Sequence, residues 1–97
     1  MVTYILLMRL TEQGAKDIKN APKRIEAAVK GVEAMGGKVK AFYAVMGQYD
    51  YIAIGELPSD EVGMTFLLGL NSQGNVKTIS LKAFTKEQFA AIAQKLP

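Results

Sequence analysis

The residues with the clearest chemical potential form a short segment, Gly47-Gln48-Tyr49-Asp50, between two apolar stretches. It places the phenol of Tyr49 beside the carboxylate of Asp50, next to a glycine that supplies the backbone angles of a turn. Asp50 would serve either as a base or ligand anchor, or as an acceptor for nearby backbone N–H groups or a lysine. We favour the structural role, because aspartate at turns commonly bonds local backbone.

Arg24 is the next candidate, since it is one of only two arginines and lies near a predicted helix start. Its planar guanidinium suits a carboxylate or a phosphate. We expect it to contact Glu56 rather than a ligand, on the expectation that the third strand ends near Arg24 while Asp50 lies at the opposite end.

Three tyrosines, Tyr4, Tyr43 and Tyr51, could line a pocket with Lys82. Tyrosines on a sheet face more often pack in an interface with one hydroxyl in water. The structural interpretation is therefore preferred, and a ligand pocket is the alternative.

The amino-acid composition excludes several kinds of catalytic and metal-binding site. Without cysteine there is no disulfide, thiolate nucleophile or cysteine metal site, and without histidine the chain lacks the commonest metal ligand and proton shuttle. Neither a Walker pattern nor G-x-G-x-x-G occurs, and no pair of acids has a spacing that compels a metal site. We expect no cofactor and no metal.

The net charge of +3 comes from lysines scattered along the chain. Nucleic-acid binders usually concentrate charge on one face and carry arginine, so this pattern argues against nucleic acid as a partner. No apolar stretch is long enough for a signal peptide or a membrane span. The sequence predicts a cytoplasmic protein with no membrane association.

The alternation of apolar and turn residues predicts four strands and three helices. The predicted strands cover residues 2–10, 38–45, 51–57 and 76–84; the helices start near Asn20, near Asp60 and after Thr85. Gly36-Gly37 should end the first helix, and Thr85 with Gln88 matches a capping box. The order predicts an α+β, ferredoxin-like βαββαβ fold with a C-terminal helix and a four-stranded antiparallel sheet, in one domain spanning residues 1–97.

One face of such a sheet is covered by the chain's own helices. We expect Ile5, Leu7, Ile52, Ile54, Ile79 and Leu81 to face the helices, and Tyr4, Leu6, Met8, Tyr51, Ala53, Thr78, Ser80 and Lys82 to face outward. An outward patch of that kind is too apolar for a monomer, so a second copy should cover it, sheet against sheet. In the second helix, we expect close backbone packing at Gly69.

The chain resembles the GYD-domain family, small proteins of the dimeric α/β-barrel class. The resemblance rests on Thr11-Glu12-Gln13-Gly14, Ile18-Lys19, Ala21-Pro22-Lys23-Arg24, Gly36-Gly37-Lys38-Val39, Phe42-Tyr43, Gly47-Gln48-Tyr49-Asp50, Gly74-Asn75-Val76, Thr78 and Ala83-Phe84-Thr85. It implies this fold and a homodimer or a larger oligomer. The family has no established activity to carry over.

Two classes of function follow from these observations. The first is a non-enzymatic module that assembles or binds a small molecule; the second is a cofactor-independent enzyme resembling the small monooxygenases that share the barrel architecture. Likeness of fold does not transfer function, and few proton-transfer groups are present, so the first is preferred. RNA binding ranks last, because the third strand lacks the basic-glycine-aromatic pattern of RNA-recognition sheets.

Overall fold

The computed structural model describes residues 1–97 as one antiparallel sheet with helices, the ferredoxin-like α+β fold predicted from the sequence. The strand order is β2-β3-β1-β4. The elements are β1 (Val2–Leu10), α1 (Glu12–Lys16), a 3-10 turn (Ile18–Asn20), α2 (Ala21–Ala34), β2 (Lys38–Ala44), β3 (Tyr51–Leu57), α3 (Asp60–Ser72), β4 (Val76–Ala83) and α4 (Lys86–Ala93).

Side-chain caps fix three of the four helix starts. The hydroxyl of Thr11 accepts from the backbone of Gly14 at the start of α1, and the hydroxyl of Ser59 accepts from Val62 at the start of α3. Thr85 and Gln88 form the predicted capping box at α4. Each cap pairs backbone N–H groups that a helix start leaves without a partner. The left-handed Gly36, with φ of 85°, follows α2 and confirms the predicted stop.

The predicted facing of the sheet is wrong. Tyr51, Ala53 and Met8 are buried against α2 and α3 and form the centre of the core. Strand pairing places Tyr4, Leu6, Thr78, Ser80 and Lys82 on this same side. Neither alternating set of β1 side chains is polar, so alternation alone could not select the face turned to the helices.

The opposite side of the sheet, here called the outer face, carries a larger apolar set than the predicted one. It consists of Ile5, Leu7, Ile52, Ile54, Ile79 and Leu81, which pair across β3, β1 and β4. Ile79 is 51% exposed and Leu81 is 45% exposed, and the other four are half-buried. None of the chain's helices covers these side chains.

The close approach predicted at Gly69 is found at Gly63 instead. A Cβ at Gly63 would lie 2.8 Å from the hydroxyl oxygen and 2.9 Å from Cζ of Tyr4, whereas a Cβ at Gly69 would meet no atom within 4 Å. Gly63 is buried and Gly69 is exposed. Helix α3 therefore packs on the sheet through Gly63, and Gly69 faces solvent.

Two further features lie at the edges of the sheet. Strand β2 has a bulge at Lys40: Val39 pairs with Gly55 and Ala41 with Ile54, so Lys40 is an extra residue without a ladder partner. At the other edge, β4 leads into α4, and every residue from position 84 to position 97 is exposed. The chain is 53 Å along its longest axis. None of its helices combines the length and the apolar character needed to cross a bilayer.

Candidate functional site

The loop between β2 and β3 is fastened to the end of β1 through Asp50. One carboxylate oxygen of Asp50 accepts a hydrogen bond from the backbone N–H of Leu10 at 2.8 Å. The backbone N–H of Asp50 donates to the carbonyl of Met8 at 2.9 Å, and its carbonyl accepts from Val45 at 2.9 Å. Asp50 thus makes the kind of backbone contact predicted for a structural role.

The rest of the Gly-x-Tyr-Asp segment supports the same attachment. The guanidinium of Arg9 lies 5.4 Å from the ring centroid of Tyr49, within the range of a cation–π contact. Gly47 has φ of 118°, a conformation that side chains rarely adopt, and no atom crowds it. The hairpin loop is therefore attached to β1 by three contacts: the carboxylate of Asp50, the ring of Tyr49 and the backbone N–H of Asp50.

Arg24 does not contact Glu56, so that expectation is wrong. One terminal nitrogen of Arg24 donates to the carbonyl of Asp17 at 2.9 Å and to its carboxylate at 3.0 Å. The other donates to the carbonyl of Gly14 at 3.2 Å. Helix α2 starts near the end of β1, whereas Glu56 pairs with Thr3 at the opposite end of the sheet. The predicted topology therefore placed Arg24 at the wrong end.

The tyrosines and Lys82 do not form one pocket. Tyr51 is buried, with its ring centroid 5.2 Å from that of Phe42. Tyr43 pairs with Ile52 beside the outer face and is exposed. Lys82 also lies on the helix side, and Tyr4 is the one of the three tyrosines that pairs with it. Of the six candidates from the sequence, Tyr49 and Asp50 share the β2–β3 loop, and the other four lie on four different elements: α2, β2, β3 and β4.

A cluster that the sequence did not predict forms around Asp60 in the first turn of α3. The ammonium of Lys82 donates to one carboxylate oxygen of Asp60 at 2.8 Å, and the hydroxyl of Tyr4 donates to the other. These two donors lower the pKa of Asp60, Lys82 first and Tyr4 second. The sequence placed Asp60 only near a helix start; its pairing follows from the register that sets Tyr4 opposite Lys82.

This cluster can hold neighbouring elements together by hydrogen bonds, but it offers no group for proton transfer near neutral pH. Burial, then the hydrogen bond to Asp60 and its negative charge, raise the pKa of Tyr4 from 10.0 to about 12. The phenol therefore stays protonated near neutral pH and acts as a donor rather than a base. The cluster ties β1 and β4 to the start of α3.

Titration of the Tyr4 phenol gives a direct check. A phenol absorbance titration should show one tyrosine ionising near pH 12. Asp60→Asn should lower that midpoint without restoring 10.0, because burial is the largest cause and remains. Stability from this bond should be complete below pH 10 and lost as pH rises through 12, because the pKa is raised on folding. Asp17→Asn is the control, and the absence of a step near pH 12 would contradict the assignment.

A larger, open groove of about 280 Å³ lies between α2 and α3, and a smaller gap lies between the sheet and these two helices. The volume of the gap is about 100 Å³ and its lining is mostly apolar. Apart from Tyr4 and Tyr51, its polar side chains are Arg24, Gln73 and Asn75. Arg24 already bonds Asp17, and Asn75 already accepts from Gln13 at 3.0 Å. No three acidic side chains come close enough together to hold a metal ion.

Solved structures with the same fold include the feast or famine regulatory protein from M. tuberculosis in complex with L-methionine. It has a TM-score of 0.66 at 19% identity; 89% of the chain matches 52% of that protein, so the chain spans about half its length. A hypothetical protein from Pyrococcus horikoshii has a TM-score of 0.58 at 22% identity over 89% of the chain and 93% of its own. At these identities the similarity establishes the fold alone.

Similarity in sequence is more specific. The chain is 37% identical over 84 residues to the glutamine synthetase and cystathionine beta-lyase binding protein of Thermus thermophilus, covering 86% of the chain and 88% of that protein. The family model for the GYD domain matches residues 4–93, which include the loop that fastens to β1. The chain belongs to the GYD-domain family.

Proposed function

We propose that residues 1–97 act as one domain of a non-enzymatic assembly module in the cytoplasm. Its working form is a homodimer in which two outer faces pack together, and the dimer binds other proteins. The apolar outer face carries this proposal, because six aliphatic side chains lie together there without a helix to cover them.

The thin core of one copy supports pairing. No large apolar side chain is fully buried, although nearly half of the residues are apolar. A second sheet laid on the first, about 10 Å away, would form a second core layer. Burial of apolar surface stabilises by about 25 cal/mol per Å² before the costs of association. A two-fold pairing makes the patch complementary to itself.

The cavities inside the fold favour a protein-binding role over catalysis. The gap of about 100 Å³ under the sheet and the open groove of about 280 Å³ between α2 and α3 are both below the roughly 300–1,000 Å³ of ligand pockets. The polar side chains of the gap do not converge on a free point. The charged candidates Asp50, Arg24 and Lys82 each hold a neighbouring element, so we assign them positioning roles. The relative in Thermus thermophilus is named for binding two enzymes, which favours an enzyme as the protein partner.

Native mass spectrometry of the purified protein tests this function. The protein alone should give twice the mass of one chain, and mixing it with glutamine synthetase should add that enzyme to the complex. A monomer at every concentration would refute the homodimer. A homodimer that retains a small molecule would favour the ligand-binding alternative.

Ile79→Asp locates the interface. The side chain of Ile79 is half in water in one copy, so the charge should leave the fold intact while it blocks pairing. We expect the dissociation constant to rise at least tenfold in analytical ultracentrifugation, since a charge buried without a partner is costly. Met46→Asp is the matched control, because Met46 is fully exposed in the β2–β3 loop. Equal dimerisation of both variants would exclude the outer face.

A further inference from the structure

The C-terminal arm, residues 84–97, has an apolar face with nothing packed on it. Phe89, Ile92 and Leu96 recur at intervals of three and four, so they share one face of α4 and its extension. Phe89 is 66% exposed and Leu96 is 72% exposed. Phe84, which precedes the helix, is also exposed.

The local bonds of the arm do not account for a stable helix. Thr85 and Gln88 satisfy donors at its start, yet α4 has only eight residues. Isolated helices shorter than about 12–15 residues are marginal in water, and most helical stability in proteins comes from packing of an apolar face. A helix of this length with a good cap and three large apolar side chains needs a surface to pack on.

The chain's own core cannot provide that surface, because α2 and α3 already cover the helix side of the sheet. The arm instead extends away from it. The radius of gyration is 14.8 Å, against about 12.5 Å for a compact chain of this length. An extended shape agrees with the exposure of every residue of the arm.

We propose that the arm packs on a second copy of this chain. Strand β4 carries Ile79 and Leu81 on the outer face, and it ends at Ala83, opposite Thr3, immediately before the arm. A second copy that covers the outer face therefore lies beside the end of β4 and within reach of α4, which is about 12 Å long. The inference rests on the proposed pairing and extends its surface from the sheet to the arm.

The exchange of arms is reciprocal. Under two-fold symmetry, each copy receives the arm of the other, so both apolar helix faces are buried by the same event. Phe89 lies in the middle of the arm's apolar face and is the anchor of this contact, since aromatic side chains carry a large share of interface energy.

A single tryptophan tests the arm separately from the pairing, because the natural chain has none. In Phe89→Trp the indole emission should be blue-shifted in the oligomer and shift to the red when dilution separates the copies. The control Ala91→Trp points to the opposite side of α4 and should stay red-shifted throughout. Introducing Ile79→Asp together with Phe89→Trp should give the red-shifted spectrum at concentrations where the single variant is paired.

The other possible results of the tryptophan experiment would contradict the arm contact, the pairing or both. An oligomer with a red-shifted indole at position 89 would overturn the arm contact and leave the proposed pairing intact. A blue-shifted indole in a dilute monomer would overturn it as well, because the arm would then fold onto its own chain. A monomer at all concentrations would refute both the pairing and the arm contact. Phe89→Asp should also weaken association at least tenfold while Ala91→Asp does not.

Discussion

Gly14→Ala should lower the free energy of unfolding by about 1–3 kcal/mol, the usual cost of forcing an extra methyl group into a tight contact. A Cβ on Gly14 would overlap the carbonyl oxygen of Asn75 and lie 3.1 Å from Cδ2 of Leu10. The contact cannot open cheaply. The backbone of Thr11 donates to the same carbonyl at 3.0 Å, and its hydroxyl donates to Gly74 at 2.5 Å.

The matched control is Gly69→Ala in the middle of α3. Position 69 is exposed, and a Cβ there would meet no atom within 4 Å. Alanine is a better helix former than glycine by about 1 kcal/mol, so this variant should be slightly more stable than the natural protein. Urea unfolding of the two variants measures the contrast. Equal stabilities would mean that α1 moves freely relative to the turn after α3.

Asp50→Ala should cost about 1–3 kcal/mol, because it leaves the N–H of Leu10 without its acceptor in a partly buried position. The N–H of Asp50 still reaches Met8, so the loop should loosen rather than detach. The melting temperature of the variant should fall, and hydrogen exchange of the Leu10 amide should become faster.

Asp50→Asn separates a structural role from a chemical one. Asparagine keeps a side-chain oxygen for the N–H of Leu10 and tolerates the same turn, so its melting should remain close to that of the natural protein. If the negative charge were needed for a ligand, Asp50→Asn would lose binding with stability unchanged. If Asp50→Ala and Asp50→Asn both kept the melting temperature of the natural protein, Asp50 would not be needed to hold the loop on β1.

The elements could be predicted because their ends have local chemistry. Ser59 and Thr85 cap the helices they precede, Gly36 follows α2 in the left-handed conformation, and Gly47 lies in the β2–β3 loop. These residues act within a few positions of themselves, so a single sequence contains the whole interaction. The starts of α2, α3 and α4 followed from local signals of this kind, whereas α1, Glu12–Lys16, was not among the three predicted helices.

The facing of the sheet needed information from distant residues. In β1, Tyr4, Leu6 and Met8 are as suitable for a core as Ile5 and Leu7, and alternation cannot choose between them. The helices select the face where Tyr51 and Ala53 lie. Gly63 then allows α3 to reach the ring of Tyr4.

The partners of the charged side chains could not be predicted, for a related reason. Arg24 was assigned to Glu56 through an assumed position along the sheet, but Asp17, only seven residues before it, captures its guanidinium. Asp60 and Lys82 are 22 residues apart and meet only because α3 starts beside the end of β4. Such pairs depend on where elements meet in space, which spacing along the chain does not specify.

The bulge at Lys40 determines how far association can continue. Strand β2 is an edge of the sheet, and such edges can recruit further strands without limit. Here the ladder is broken at Lys40, with Lys38 two residues before it, so another strand would meet a misaligned row of donors and two positive charges. Growth along that edge is disfavoured, and in the proposed homodimer a single partner covers the outer face. The β2 edge therefore favours a closed pair over an open-ended fibre in that proposed assembly.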